Sequence, residues 1–361
     1  MKNRVQRLKE AFVDEFDGYL VTNPANLLYF TEALGSTDTL GGAVMLVPKE
    51  DDCTLHIYGV NYEWARTEIR NCGVELVRRG EDMVKKIAEQ VKVLKLKKLA
   101  FDTMNVQTHR KLGEALKGTA RLEEKGECVG NLRRVKDQEE LKRMRKAGEL
   151  TVVGMQAAYD AIEAGLEEIE VAAEIEYAMR IHGSYGLAFE SSVASGPRSA
   201  YPHGGCGEHK LRKGDAVVVD IGARYRNYCA DMTRTFVVGK PSAKQERIYD
   251  IVEKAQEEAF QKTQAGVKGA AIDGVARKAI EKAGYGEYFV HGLGHGIGLE
   301  VHEQPSLNSV SKDVLKTGNV VTDEPGIYIV GFGGFRIEDT VLVQKDKAER
   351  LTEGLRVLKK T

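Results

Sequence analysis

Over the first 130 residues, apolar residues recur either at helical spacing or in short consecutive runs, and the two patterns alternate along the chain. Helical spacing predicts helices, and short apolar runs bounded by turn residues predict strands. Alternating helices and strands are typical of an α/β layout with a mixed sheet. The predicted elements are helices over 1–15, 61–70, 81–93 and 106–117, and strands at 18–22, 43–48, 54–58, 74–77 and 98–102.

From Asp137 onward, long amphipathic segments are separated by β-rich runs. Asp137 and Glu140 have the spacing of a capping box at the start of a long helix, which places a domain boundary near 130–136. We therefore predict two domains, 1–130 and 131–361. In the second domain a pair of helices precedes a β-hairpin twice, and this order indicates an internal pseudo-twofold repeat. The further helices predicted there cover 167–182, 242–264 and 271–284.

The segment 216–238 contains two β-rich runs joined by a short polar connection, a pattern that predicts an antiparallel hairpin. Folding this hairpin about Tyr225 and Arg226 places Asp220 nearly opposite Asp231. Two like charges opposite each other destabilise a sheet, and burial adds a desolvation cost. The pattern therefore indicates a positively charged group between the two carboxylates.

A second hairpin at 320–343 repeats this arrangement, and folding it about the glycine-rich turn 331–334 makes Glu324 face Glu338. The segment between the two hairpins reads HGLGHGIGLEVHE and supplies imidazoles with little bulk around them. Four carboxylates and one histidine carry a charge of about minus four, which two divalent cations cancel. Oxygen-rich ligands with one imidazole favour Mn, Co or Zn. We therefore predict a site for two divalent metal ions.

His295 and His302 lie seven residues apart in this glycine-rich segment. An odd separation on a continuous strand places two side chains on opposite faces. The two imidazoles therefore share one pocket only if the chain bends between them, and the intervening glycines permit a bend or a bulge.

Composition limits the partners and the compartment. The 53 basic and 54 acidic residues nearly balance, which does not favour nucleic acid or an anionic membrane as a main partner. No apolar run approaches the roughly 18 residues of a membrane span, and the N-terminal sequence MKNRVQRLKEAF lacks the apolar core of a signal peptide. Five scattered cysteines without a CxxC motif are typical of reduced thiols. We expect a cytoplasmic protein.

Four motifs in the second half carry a resemblance to a known family. The chain resembles the pita-bread metallopeptidases, and within them the proline-specific branch of Xaa-Pro dipeptidase (prolidase) and Xaa-Pro aminopeptidase. The resemblance implies an α/β creatinase-like N-terminal domain followed by an α+β pita-bread catalytic domain. The motifs, which span roughly 190–343, are VDIGARYRNYCADMTRTF, HGLGHGIGLEVHEQP, TDEPGIY and RIEDT.

The resemblance implies a role for each predicted ligand. Asp220 would chelate one metal ion, and Asp231 and Glu338 would bridge both. His295 and Glu324 would hold the second ion. Two divalent ions, with Mn or Co favoured and Zn as an option, would activate the water that attacks the carbonyl group before proline.

The resemblance also implies residues that act on the substrate. His203 and His302 correspond to substrate and transition-state histidines, either of which would stabilise the oxyanion. His291 lies near the site, Arg336 lines the pocket, and Glu324 would pass a proton to the leaving proline nitrogen. The implied substrates are small peptides with proline in second place, and the implied assembly is a homodimer in which the N-terminal domain helps to wall the active site.

Two positions depart from the pattern of the family. Ser306 stands where many dipeptidases have an arginine that could hold the free carboxylate of a dipeptide, which leaves aminopeptidase cleavage of longer peptides open. Asp323 stands where an apolar residue is commoner and adds a negative charge. The alternatives are another pita-bread aminopeptidase, similar to methionine aminopeptidase, and a non-catalytic binding member of the fold.

Overall fold

A six-stranded mixed sheet organises the first of two units in the computed structural model, which describes residues 3–360. The units comprise Met1–Arg133 and Arg134–Thr361. The elements of the first unit, in chain order, are α1 (Arg4–Phe12), β1 (Gly18–Val21), α2 (Pro24–Thr31), β2 (Val44–Pro48), β3 (Thr54–Tyr58), α3 (Gly59–Glu68), β4 (Gly73–Val77), α4 (Met83–Val93), β5 (Lys98–Phe101), α5 (Val106–Ala115), β6 (Arg121–Glu124) and α6 (Gly126–Arg134).

The strand order in this sheet is β4-β3-β2-β1-β5-β6, and β2 runs antiparallel to both of its neighbours. The predicted mixed α/β layout is therefore confirmed. Helices begin where Asn23, Asp82 and Asn105 accept hydrogen bonds from backbone N–H groups, as N-cap residues do. The predictions missed β6 and α6, because the charged sequence around Arg121–Glu124 lacks an apolar alternation.

The second unit has the predicted order of helix pairs and hairpins. Its elements are α7 (Gln138–Ala161), α8 (Glu168–Ile181), β7 (Gly186–Leu187), β8 (Ser192–Ser195), β9 (Ala216–Ile221), β10 (Ala223–Tyr225), β11 (Tyr228–Cys229), β12 (Met232–Val238), α9 (Ala243–Lys262), α10 (Gly269–Lys282), β13 (Gly294–Gly296), β14 (Glu303–Leu307), β15 (Val320–Asp323), β16 (Gly326–Ile329), β17 (Gly333–Arg336), β18 (Asp339–Val343), β19 (Ala348–Arg350) and β20 (Lys359–Lys360). Two short 3₁₀ turns, Gly196–Ala200 and Gly286–Tyr288, complete it.

The internal repeat is visible in the packing of this unit. Helices α7 and α8 pack together before the β9–β12 hairpin, and α9 and α10 pack together before the β15–β18 hairpin. Each block has its own apolar core, one including Val217 and Val219 and the other Val252 and Val341. The capping box predicted at the start of α7 is also present, because Asp137 and Glu140 cap each other's backbone N–H groups.

The register of the first hairpin corrects one prediction. Asp220 pairs with Thr233, not with Asp231, because the chain turns at Arg226 and Asn227. Both turn residues have positive φ (45° and 74°), as in two-residue hairpin turns whose twist matches the strands. Asp231 immediately precedes β12 and lies two residues before Thr233, so it is a diagonal neighbour of Asp220.

The register of the second hairpin agrees with the prediction. The pair Asp323 and Asp339 ends one ladder, and the pair Gly326 and Arg336 begins the next in the same register. Glu324 and Glu338 therefore lie opposite each other where the ladder is interrupted. No helix within residues 3–360 combines the length and the apolar character needed to cross a membrane.

Candidate metal centre

Five predicted ligands meet at one cavity of the second unit. Asp220 lies near the end of β9, and Asp231 precedes β12. His295 is the central residue of β13, Glu324 follows β15, and Glu338 precedes β18. All five line a cavity of about 830 Å³. Strands from both halves of the repeat thus deliver the side chains to one point.

The distances between these side chains are short. One ligand atom each of Asp231, His295 and Glu338 lies within 4.8 Å of the other two. The Nε2 atom of His295 lies 3.3 Å from Glu324 Oε1 and 4.0 Å from Asp231 Oδ2. Atoms at these separations can coordinate a common cation.

Burial of so many carboxylates perturbs their protonation. Burial, followed by the charges of Glu338 and Asp220, raises the pKa of Asp231 well above its usual value. Burial, followed by the charges of Glu324 and Asp220, raises the pKa of Glu338 in the same way. Carboxylates held in such mutual proximity need a compensating positive charge if they are to stay ionised together.

Glu324 differs from the other buried carboxylates, because its pKa is lowered through its contact with His295. Although burial acts to raise it, the hydrogen bond and charge of His295 lower the pKa of Glu324 to about 2. Although burial acts to lower it, the same hydrogen bond raises the pKa of His295. The hydrogen bond between His295 Nε2 and Glu324 Oε1 holds the two side chains together at the cavity.

The carboxylate oxygens that have no hydrogen-bond partner fit a divalent cation. Asp220 Oδ1, Asp231 Oδ1 and Glu338 Oε1 are buried, and none has a hydrogen-bond partner within residues 3–360. Buried polar atoms are normally paired, so three such atoms at one cavity require a ligand. Carboxylate oxygens with one imidazole suit a hard or borderline divalent ion, and the residues present therefore fit the predicted group.

A buried guanidinium holds two of the carboxylates in place. Arg336 donates to Asp220 Oδ2 at 2.7 Å and to the hydroxyl of Thr233 at 2.9 Å. Thr233 in turn donates to Glu338 Oε2 at 2.5 Å. Arg336 also donates to the hydroxyl of Tyr328 at 2.8 Å. It borders the cavity, as predicted, but its side chain is 3% exposed and its donors are directed at protein atoms.

Three further histidines line the same cavity. The rings of His295 and His302 lie 4.2 Å apart between centroids, so the predicted bend between them is present. His203 borders the cavity from the loop after β8, and the imidazole Nε2 of His291 lies 2.9 Å from the hydroxyl of Tyr328. Burial, followed by the charge of His295, lowers the pKa of His302, which favours a neutral imidazole.

Close backbone contacts explain the glycines around His295. A Cβ atom on Gly294 would lie 2.1 Å from the carbonyl oxygen of Thr322, and one on Gly296 would lie 2.3 Å from the carbonyl oxygen of Gln304. Glycine is therefore required on both sides of the histidine. β13 ends at Gly296, and the register shift between β13 and β14 produces the bend.

Sequence reasoning missed Thr233 and Tyr328, although both contact the centre. The signal for Thr233 was available, because it follows Asp231 by two residues on a strand and so shares its face. Tyr328 had no such signal. Its role depends on contacts with His291 and Arg336, which reach it from other strands and loops.

Comparison with known proteins gives a consistent result. Residues 142–345 match metallopeptidase family M24, and residues 4–135 match the creatinase/prolidase N-terminal domain. An Xaa-Pro dipeptidase of Pyrococcus furiosus is 38% identical over 99% of this chain and 100% of its own length. An Xaa-Pro dipeptidase structure from Bacillus anthracis is 37% identical and superimposes with a TM-score of 0.91 over 98% of both chains. An X-Pro aminopeptidase structure from Thermotoga maritima is 35% identical, with a TM-score of 0.88 over 99% of both chains.

Proposed function

The chain belongs to metallopeptidase family M24, which makes it a metal-dependent hydrolase, and we propose that it cleaves the peptide bond before proline with two divalent ions. The observation that carries this proposal is the group of buried carboxylate oxygens without hydrogen-bond partners around His295. Mn or Co, with Zn as an option, suits this donor set. The substrates are Xaa-Pro dipeptides or peptides that begin with Xaa-Pro.

Asp220 would hold one ion, His295 and Glu324 would hold the other, and Asp231 and Glu338 would contribute to both. Bound divalent ions lower the pKa of water and polarise a carbonyl group, which supplies a nucleophile and an activated substrate at neutral pH. The charge of the two ions balances the four carboxylates. The guanidinium of Arg336 and the hydroxyl of Thr233 orient two of these ligands, as outer contacts do in metal sites.

The remaining polar side chains of the cavity act on the substrate. His302, neutral because its pKa is lowered, presents an imidazole that can donate to the carbonyl oxygen as negative charge develops there. His203 reaches the same cavity from another loop, and His291 is held by its contact with Tyr328. Glu324 borders the same cavity and would accept a proton from the attacking water and pass it to the leaving nitrogen.

The assignment of roles is tested by comparing two histidine variants. His295→Ala should lose metal and activity together. His302→Ala should keep the metal content of the wild type while kcat falls on the order of a hundredfold, as for a lost oxyanion donor. His182→Ala, at an exposed surface histidine, is the matched control and should change neither quantity. Loss of metal from His302→Ala, or an unchanged kcat, would contradict the assignment.

The charges in the cavity favour peptides longer than a dipeptide. In an Xaa-Pro dipeptide the free carboxylate belongs to the proline itself, and its binding requires a positively charged group. Within the described part of the chain, the arginine or lysine that lines the cavity is Arg336, and its guanidinium already donates to Asp220, Thr233 and Tyr328. Ser306 lines the cavity with a neutral side chain.

Three substrates separate charge from length: Ala-Pro, Ala-Pro amide and Ala-Pro-Ala. The amide and the tripeptide should have a higher kcat/KM than the dipeptide, because neither carries a free carboxylate on the proline itself. Ser306→Arg should raise kcat/KM for Ala-Pro and leave that for the amide nearly unchanged. Equal kcat/KM values for the dipeptide and its amide in the wild type would contradict the length preference while leaving proline-specific cleavage intact.

We also propose that the chain forms a homodimer through its N-terminal unit and acts in the cytoplasm. The contact surface that we assign includes Tyr58, at the end of β3, and Val60, in the first turn of α3, which are 41% and 89% exposed. Val60→Glu should shift the molar mass by light scattering toward the monomer, whereas Val93→Glu, at a valine of α4 that is 78% exposed, should not. A wild-type monomer with full activity would contradict the homodimer.

The two alternatives receive less support. A methionine aminopeptidase-like enzyme would not need the N-terminal α/β unit. A non-catalytic binding protein would be expected to lose ligands, whereas all five predicted positions carry coordinating side chains. Hydrolysis of Xaa-Pro peptides by metal-reconstituted protein, and its loss on chelation, decides between these alternatives.

A further inference from the structure

Two cysteines of the N-terminal unit lie side by side at the start of neighbouring parallel strands. Cys53 immediately precedes β3, and Cys72 immediately precedes β4. The two strands pair with Thr54 beside Gly73, and the N–H of Gly73 donates to the carbonyl oxygen of Cys53 at 3.0 Å. Extending this register by one residue places Cys53 beside Cys72 with both side chains on one face of the sheet.

The contact between the two thiols agrees with this register. Their side chains share a hydrogen bond, which lowers the pKa of Cys53 and raises that of Cys72. The pair therefore releases its first proton more easily than an isolated thiol and its second with more difficulty. Cys53 is 5% exposed and its Sγ lies 3.5 Å from the carbonyl oxygen of Asn71, whereas Cys72 is only partly buried.

We propose that Cys53 and Cys72 are a redox modification site, at which a low-molecular-weight disulfide converts the two thiols into a reversible intramolecular disulfide. The geometry suits this bond, because adjacent strands are separated by about 4.8 Å and disulfides span Cα separations of about 4.4–6.8 Å. The residues of the metal centre all belong to the other unit, so this site is additional to the peptidase activity.

The reaction proceeds by two thiol–disulfide exchanges. The first proton leaves from Cys53, and its thiolate takes the proton of the hydrogen-bonded, less buried Cys72. The Cys72 sulfur then attacks one sulfur of the reagent, breaks the reagent's disulfide and releases one thiolate, which leaves a mixed disulfide on the protein. The Cys53 thiolate then attacks the Cys72 sulfur and displaces the second reagent thiolate. Two electrons pass from the cysteines to the reagent, and the two released thiolates take up the two protons that the cysteines lose.

The bond would close a loop over residues 54–71, which contains β3 and α3. Of the residues of α3, Ala65 is the one that is buried, so the helix has few contacts that hold it to the sheet. Cross-linking the ends of this loop reduces the entropy of the unfolded chain, and the unit should unfold at a higher temperature. The protein's single tryptophan, Trp64, lies in α3 and reports this unfolding by fluorescence.

The experiment incubates the full chain with oxidised glutathione. Thiols titrated after denaturation should fall from five to three, the intact mass should decrease by two hydrogens, and peptide mapping should recover Cys53 linked to Cys72. The Trp64 unfolding midpoint should rise by on the order of 10 °C and return to its starting value with dithiothreitol. Cys53→Ser should take up one glutathione at Cys72, Cys72→Ser should leave the buried Cys53 unmodified, and neither variant should show the rise.

Cys128→Ser is the matched control, because it removes the third thiol of the same unit and should leave the cross-link intact. The proposal is overturned if the wild type retains five thiols, or if Cys53 and Cys72 each carry a separate glutathione. It is also overturned if the rise of the midpoint persists in Cys72→Ser.

Discussion

A buried aspartate next to the metal centre makes the fold less stable than it could be. Asp323 is 1% exposed and pairs across β15 and β18 with Asp339. Neither carboxylate oxygen of Asp323 has a hydrogen-bond partner within residues 3–360, whereas Asp339 accepts from Arg234 and Arg356. Replacing Asp323 with valine should therefore stabilise the protein.

The gain in stability depends on whether burial or the neighbouring arginines have the larger effect on the Asp323 carboxylate. Burial, followed by the charge of Asp339, raises the pKa of Asp323 well above its usual value, although Arg350 and Arg356 act in the opposite direction. The arginines therefore do not offset the desolvation. A buried polar group without a partner costs about 1–3 kcal/mol, and Asp323→Val should recover this amount. For a unit of this size, that raises the unfolding temperature by about 2–4 °C per kcal/mol.

Calorimetric unfolding in the presence of a chelator measures this change without a contribution from metal binding. Asp323→Asn keeps two unpaired polar atoms and should gain less than Asp323→Val. Asp273→Val is the matched control, because Asp273 is equally buried but accepts hydrogen bonds from Arg277 at 2.9 Å and from the N–H of Leu293 at 3.0 Å, and its replacement should destabilise the protein. If Asp323→Val lowers the unfolding temperature as Asp273→Val does, the argument from unpaired oxygens is wrong.

Three further predictions concern the metal centre and the N-terminal unit. Thr233→Val removes the hydroxyl between the guanidinium and a bridging carboxylate and should weaken metal binding about 10–100-fold by calorimetric titration, whereas Thr263→Val, at another buried threonine, should not. Gly294→Ala should lower the free energy of unfolding by about 1–3 kcal/mol in chemical denaturation and reduce the metal content. Gly274→Ala, on α10 where a Cβ atom has free space, should raise the free energy of unfolding slightly. Burial lowers the pKa of His56, so the unfolded chain binds the proton more readily. The stability of the N-terminal unit should therefore fall as pH decreases below about 6.5, and His56→Leu should flatten this decrease in the pH profile of Trp64 fluorescence.

The two hairpins show why one register could be predicted and the other could not. Gly331, Gly333 and Gly334 mark the second turn, and the fold about this segment places Glu324 opposite Glu338. The first connection offers Tyr225, Arg226 and Asn227, and the prediction placed the turn one residue too early. Asn227 adopts positive φ, which asparagine tolerates better than most residues, so its position was the stronger indication of the turn.

Long-range contacts account for most of what the sequence did not indicate. The motifs placed Arg336 at the pocket, but they did not indicate that its guanidinium pairs with Asp220 across 116 positions of the chain. The contact between His291 and Tyr328 likewise depends on how separate segments pack. Local periodicity specifies which face a side chain occupies, and only the assembled sheets specify what it meets there.

Asp231, Glu338 and Asp323 are alike in burial and in the direction of their pKa shifts, yet only Asp231 and Glu338 are placed to bind a metal ion. All three are buried carboxylates with raised pKa values and unpaired oxygens. Asp231 and Glu338 border a cavity beside His295, so a cation can reach their free oxygens. Asp323 lies outside that lining, and its free oxygens meet packed protein. A raised pKa therefore identifies a carboxylate whose ionised form is destabilised by its surroundings. Such a carboxylate can bind a cation only where it borders a cavity that other ligands also line.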